Sequence, residues 1–393
     1  MNVILKQEIE AYVDAHRQEM LDLWRDITNF QGHTEDLDAL KHVVDRFKAE
    51  FEAAGLTCKL LPQGNKTQDY LVGEWGSENP GKPILFSGHY DTIMKPGSYP
   101  DNPFKIVGGK AFGPGVLDMR GGIIISLYVI KALIACGYKE SPLRICYVSD
   151  EESCHEYNDN AGKVIMDSAK GCICAFNMET GRVNNDLCIG RSARVGFDVT
   201  VTGVATHAGN DFAGGRNAIA EMCHKVLEFE ALTNLELGST VNCGVINGGT
   251  VANAIPGKCE LNIDMRFLKQ SELEKTVAAA EEICKKTFID GTHTTYSYRV
   301  AMPAFETIPG VMELYTLAND VAKAYGYAEA GKIVLGGVSD ASYLTMAGIP
   351  TLCSTGVRGE DNHTIKEYAV VESMFERTKW LAAICLNLGD FKF

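Results

Sequence analysis

The sequence predicts an α/β fold built on a largely buried sheet, with a ferredoxin-like α+β module inserted into it. Three observations carry this expectation. Apolar strands such as PILF at 83–86 and LRICYV at 143–148 alternate with helical segments and read as buried on both faces. Near residue 192 the texture changes to clean one-sided alternation, VGFDVTVTGV. From there to residue 302 the elements follow the β-α-β-β-α-β order. About 110 residues suffice for a self-contained module. The α/β texture returns after Pro303, so the expected domains are a discontinuous one, 1–191 with 303–393, and an insert, 192–302.

The elements follow in order. Residues 4–29 show helical spacing (Leu5, Ile9, Val13, Met20, Leu21, Trp24), and 36–54 repeat it (Leu40, Val44, Phe47, Phe51) until Gly55 ends the run. Strands are expected at 56–61, 69–75 and 83–89. GGIIISLYVIKALIACG reads as a buried helix, 143–150 as a buried strand, 160–169 as a helix and 172–178 as a strand. Within the insert come a helix at 214–232, strands at 240–246 and 259–267, a helix at 271–287 and a strand at 293–300. Beyond it are helix 309–325, strand 332–335, helix 339–347, strand 350–353 and a terminal helix 367–387. There is no internal repeat.

Composition narrows the function. The chain has 393 residues, 46% of them hydrophobic, which excludes low-complexity disorder. A net charge of −14 argues against a nucleic-acid partner, which needs a basic stripe. The 13 cysteines are scattered without CxxC spacing, so reduced thiols in a cytoplasmic protein are expected. The charged N-terminus lacks the apolar core of a signal peptide, and Lys131 interrupts the longest apolar run, so no membrane association is expected.

The chemistry lies in five segments. Ser87-Gly88-His89-Tyr90-Asp91-Thr92 ends an apolar strand, where α/β sheets bind ligands. Two residues apart, Asp91 can orient the His89 imidazole, as carboxylates do for metal-bound histidines. Gly113-Pro114-Gly115-Val116-Leu117-Asp118 precedes a helix; taken alone, Asp118 is equally an N-cap. Asp150-Glu151-Glu152 follows a second strand, and three adjacent acids repel unless protons or a cation compensate. Met178-Glu179-Thr180 follows a third strand, and Asp361-Asn362-His363-Thr364 precedes the last helix. Together, two histidines and three carboxylates suit two zinc ions with one carboxylate shared. Such a centre also needs an acid off the metal to accept a proton from water, and Glu151, beside Glu152, fits that need.

The motifs SGHYDT, GPGVLDMRGG, SDEE, METG, THAG, NAIPG, DMRF, GGVSDA and DNHT, in this order from residue 83 onward, resemble the M20 metallopeptidases, in particular the glutamate carboxypeptidase (carboxypeptidase G2-like) branch. The resemblance implies a phosphorylase/hydrolase-like three-layer α/β/α catalytic domain whose ferredoxin-like insert is a lid that also mediates homodimerisation. It implies two Zn2+ per subunit, with Co2+ or Mn2+ as substitutes. His89 and Glu179 would hold one metal, Glu152 and His363 the other, with Asp118 bridging, Asp91 orienting His89 and Glu151 as general base. His207 in THAG matches the lid histidine that reaches substrate across the dimer. Asn253, Arg266 and Gly356 match substrate-binding positions.

The implied reaction is hydrolysis of a peptide or N-acyl amide bond beside a free α-carboxylate, of carboxypeptidase or dipeptidase type. The same machinery serves an N-acyl-amino-acid deacetylase or desuccinylase. A non-enzymatic binding protein is disfavoured because Glu151 and every ligand are retained. A nucleotide-dependent enzyme is disfavoured because no GK[ST] follows the glycines. Tyr90 and Arg120 stand where the family varies or more often has Lys. Met302 and Asp186 replace basic residues of glutamate-specific members, so no preference for glutamate is expected.

Overall fold

The computed structural model describes residues 3–392, and two compact units emerge. One comprises the chain to Gly190, Thr307–Val334 and the chain from Ser339; the other comprises Arg191–Glu306 with Leu335–Val338.

The first unit is a three-layer α/β/α sandwich. Its six-stranded sheet runs Thr57–Leu61, Tyr70–Trp75, Leu143–Val148, Ile84–His89, Cys174–Asn177, Thr351–Leu352 from edge to edge. The last four strands are mutually parallel, and the first two pair antiparallel. Period-2 alternation splits the apolar strands between two cores. Ile84, Phe86, Ile145, Tyr147 and Phe176 face the helices Arg120–Ala135, Val371–Leu386 and the N-terminal pair. Leu85, Cys146, Val148 and Ala175 face Ala161–Ala169 and Ala341–Met346. The helix Arg120–Ala135 is buried nearly all round, and Lys131 at its rim pairs with Glu50 at 3.0 Å.

The second unit is the ferredoxin-like module. Its antiparallel sheet runs Thr240–Gly248, Lys258–Phe267, Ala193–Thr202, His293–Met302, and the helices Ala218–Glu230 and Gln270–Lys285 bury its apolar face.

Three details differ from the sequence reading. The helical segment 4–29 is two helices, Val3–Ala15 and Arg17–Asn29, broken at His16. Asp118 does not cap the following helix; Met119 occupies that position with no side-chain cap. A five-stranded sheet of two- and three-residue strands (Lys105–Val107, Lys110–Phe112, Tyr368–Val370, Arg358–Glu360, Gly181–Arg182) was not expected, because strands this short carry no periodicity. Among the described residues, no helix is long and apolar enough to cross a membrane.

Candidate metal centre

Because four strands run parallel, their carboxyl ends meet at one edge, and the site is assembled there. Ile84–His89 ends at the buried His89. The strand Leu143–Val148 leads into the turn with Glu151 and Glu152, and Cys174–Asn177 leads into Glu179. Thr351–Leu352 leads to Gly356, whose N–H donates to the Glu179 carbonyl at 2.9 Å. A Cβ at Gly356 would lie 2.4 Å from the Met178 carbonyl oxygen, so only glycine fits this approach.

His89 Nε2 lies 3.3 Å from Asp118 Oδ1, 3.6 Å from Glu179 Oε1 and 3.8 Å from Glu151 Oε2. His363 Nε2 lies 3.2 Å from both Asp118 Oδ2 and Glu152 Oε2. The two oxygens of Asp118 therefore face one histidine each. On its other side the His89 ring is held by Asp91, with Nδ1 3.2 Å from Oδ1. Asp91 Oδ2 accepts from Thr34 Oγ1 at 2.6 Å and from the Glu152 N–H at 3.2 Å. The first unit thus brings together His89, Asp91, Asp118, Glu151, Glu152, Glu179, His363 and Gly356.

The electrostatics match a cation site. Burial pushes Glu151 well above the ordinary carboxylate range and Glu152 up to about 7, with Asp118 adding to the shift on Glu152. Burial alone would lower the His89 imidazole, but Asp118, Asp91 and Glu179 outweigh it and hold it well above its usual value. His363 is pushed up to about 11 by Asp118 and Glu152, and the two histidines hold Asp118 below its usual range against its burial. Buried His89 Nε2 and Glu152 Oε1 find no hydrogen-bond partner among the described residues. His89 with Glu151 and Glu179, and His89 with Asp118 and Glu152, each converge closely enough to hold an ion. The donor set, imidazole nitrogens and carboxylate oxygens, fits zinc and its divalent neighbours.

Several positioning residues carried no sequence signal. Glu367 is buried and accepts from the N–H groups of Gly115, Leu117 and Asp118 at 3.3, 2.8 and 3.0 Å, so it shapes the loop that presents Asp118. Burial and Asp118 push its carboxyl up to about 8. Arg120, buried and far from any metal role, donates to the carbonyls of Tyr90, Ile27 and Gly32 at 2.9, 3.1 and 3.3 Å. It thereby locks the backbone between His89 and Asp91.

His207, Asn253 and Arg266 lie in the second unit. The Asn253 carbonyl accepts from Ala208 N–H at 2.9 Å, which places His207 and Asn253 on adjoining segments. His207 Nδ1 accepts from Gly209 N–H at 3.1 Å, which leaves the ring proton on Nε2. Arg266 is paired with Asp264 through Nε at 2.6 Å and Nη2 at 3.2 Å, and Nη1 donates to the Gly336 carbonyl at 3.2 Å. Arg194 Nε also donates to Asp264, at 2.9 Å. Met302 is buried, and Asp186 accepts from Asn184 Nδ2 at 2.8 Å.

The chain thus combines a three-layer α/β unit, a buried histidine–carboxylate cluster able to hold a cation at its strand ends, and a ferredoxin-like module inserted in the sequence. Residues 189–292 match the peptidase dimerisation domain of the M20 peptidases. The chain is 27% identical to carboxypeptidase G2 of Pseudomonas sp. (strain RS-16), over 93% of this chain and 88% of that protein. It is 25% identical to a succinyl-diaminopimelate desuccinylase of Xanthomonas oryzae pv. oryzae, over 82% and 87%. The fold superimposes on an M20 family metallo-carboxypeptidase from Sulfolobus solfataricus with a TM-score of 0.74 at 13% identity, covering 93% of this chain and 98% of that one. The chain is thus similar to M20 peptidases across its sequence and its fold, and to hydrolases of the peptidase and amidohydrolase type.

Proposed function

We propose that this protein hydrolyses a peptide or N-acyl amide bond next to a free α-carboxylate of a small substrate, with two zinc ions per subunit. The observation that carries the reading is Asp118, whose two oxygens each face a different histidine. His89 and Glu179 would hold one ion, Glu152 and His363 the other, with Asp118 between them. When bound, the ions supply Lewis acidity toward the carbonyl and lower the pKa of water. Glu151 takes the proton of the attacking water on a carboxylate oxygen and returns it to the leaving amine nitrogen. Asp91 keeps the His89 ring oriented. By the family resemblance, His207 would offer its ring to the developing oxyanion, and Arg266, Asn253 and Gly356 would contact the substrate. We place the protein in the cytoplasm as a homodimer, supported by its 13 free thiols and the dimerisation-domain match.

Glu151→Gln tests the reading. Zinc content should stay at two per subunit while turnover of a dipeptide panel falls at least about a hundredfold, the scale of a positioned general base. Loss of metal together with activity would make Glu151 a ligand, a role its place beside His89 and Glu179 also permits. A second reading, N-acyl-amino-acid deacylation, is favoured by the similarity to the desuccinylases. Faster hydrolysis of N-acetyl or N-succinyl amino acids than of any dipeptide would select it.

A further inference from the structure

Directly behind the turn that carries Glu151 and Glu152 lies a buried polar network outside the metal cluster. His155 is its centre. Its Nδ1 lies 2.9 Å from Asp150 Oδ1 and its Nε2 lies 2.7 Å from Asp340 Oδ1, and all three residues are buried. Tyr70 donates its hydroxyl to Asp150, and Asn158 Nδ2 donates to that hydroxyl at 2.8 Å. Asp340 stands at the N-cap of Ala341–Met346 yet makes no side-chain cap bond; its carboxylate turns to His155 instead.

We propose that His155 is a positioning residue for the catalytic turn: by bridging Asp150 to Asp340 it sets the directions of Glu151 and Glu152. This rests on the roles given to those two glutamates above. The strand ends at Val148, and the residues up to Tyr157 form neither helix nor strand. Cys154 and His155 are consecutive non-glycine residues in the left-handed region, at φ 52° and 54°. Such a conformation persists only where its surroundings over-determine it. Here the backbone closes through Cys154 N–H to the Glu151 carbonyl at 2.7 Å and His155 N–H to the Asp150 carbonyl at 3.0 Å. The ring then anchors the turn at both nitrogens. The ring thus bridges the two aspartate side chains, one at each nitrogen. The aspartates outweigh the opposing effect of burial and keep the imidazole well above its usual value. A side chain that cannot span both aspartates leaves these buried groups without their shared partner, and the turn shifts to satisfy them otherwise.

The test is zinc titration of the metal-free full-length protein by calorimetry, alongside kcat and KM on the best-cleaved dipeptide of the panel. His155→Gln should lower kcat at least about tenfold, with KM within about twofold. It should weaken one of the two zinc-binding events, that of the Glu152 site, about tenfold and leave the other unchanged. A residue that only stabilised the fold would move neither ratio selectively. Asp340→Asn should reproduce the split, and the double variant should lose much less than the product of the two single losses, because both remove one bridge. If His155→Gln does not fold, Asp340→Asn alone decides by the same readouts. Zinc affinities and kcat within twofold of wild type, or fully additive losses, overturn the proposal. Glu151→Gln run in parallel separates the failures. Intact turnover there sinks the proposed function, whereas its loss beside an unaffected His155→Gln sinks only the positioning role.

Discussion

At the scale of single residues, the carboxylate-binding role proposed for Arg266 can be told apart from its pairing with Asp264. Its pairing with Asp264 is half-buried and solvent-screened, and a pair of this kind contributes about 1 kcal/mol to stability. The pairing also fixes a planar guanidinium that an ammonium cannot replace in bidentate recognition. Arg266→Lys is therefore expected to lower kcat/KM at least tenfold while zinc content and melting temperature stay near wild type. Amidating the substrate's carboxylate should cost the wild type a similar factor and the variant much less. Equal losses in both would remove Arg266 from the carboxylate site. Asp264, shared between Arg194 and Arg266, is held below the ordinary carboxylate range by them against its partial burial, so it stays ionised at neutral pH.

At the scale of elements, the helix Arg120–Ala135 packs directly against the segment that carries Glu179. Its glycines are close-approach positions. A Cβ on Gly122 would sit 1.9 Å from the Met178 carbonyl oxygen, one residue before Glu179. Alanine is intrinsically the better helix former by about 1 kcal/mol. Here the backbone contact overrides that preference, since overpacking a buried position costs roughly 1–3 kcal/mol. Gly122→Ala should consequently lower the thermal midpoint and displace Glu179, seen as weaker binding of one zinc ion in calorimetry. A stabilised variant with both zinc affinities intact would show that the contact relaxes freely. The two helices at the N-terminus make the opposite point. Their apolar spacing is continuous, yet His16 divides them, because periodicity reports which face is buried and not where the axis breaks.

At the scale of the whole molecule, the inserted module presents unpaired surface. Thr240–Gly248 is an edge strand with Val245 and Ile246 exposed, and Leu227 on the helix Ala218–Glu230 is 72% exposed. An open edge flanked by apolar side chains is a template for pairing, and the match to a peptidase dimerisation domain makes a second copy the partner to test. The double substitution Leu227→Glu with Ile246→Lys should convert a dimer to a monomer in light scattering coupled to size exclusion, with zinc content unchanged. A dimer of undiminished stability would place the interface elsewhere.

The fold class was legible in the sequence because two periodicities meet in one chain. Strands buried on both faces read as unbroken apolar runs, and the one-sided sheet of the insert reads as strict alternation. The convergence of the clustered residues was legible for a related reason: a histidine or acid directly after an apolar strand stands at the end where parallel strands converge, and three of the motifs fall there. What the sequence could not determine is everything held by a contact between distant segments. That Asp118 turns its oxygens to two histidines instead of capping its helix depends on Glu367 gripping the loop from about 250 residues away. That Asp150 bonds His155 and Tyr70 depends on segments 80 residues apart, and that His89 keeps its orientation depends on Asp91, Thr34 and the backbone bonds of Arg120. Local pattern decides which side chains are buried or exposed, since that follows from spacing along one element. The direction of a buried polar group is decided by whichever partner satisfies it, and only the folded chain brings that partner near.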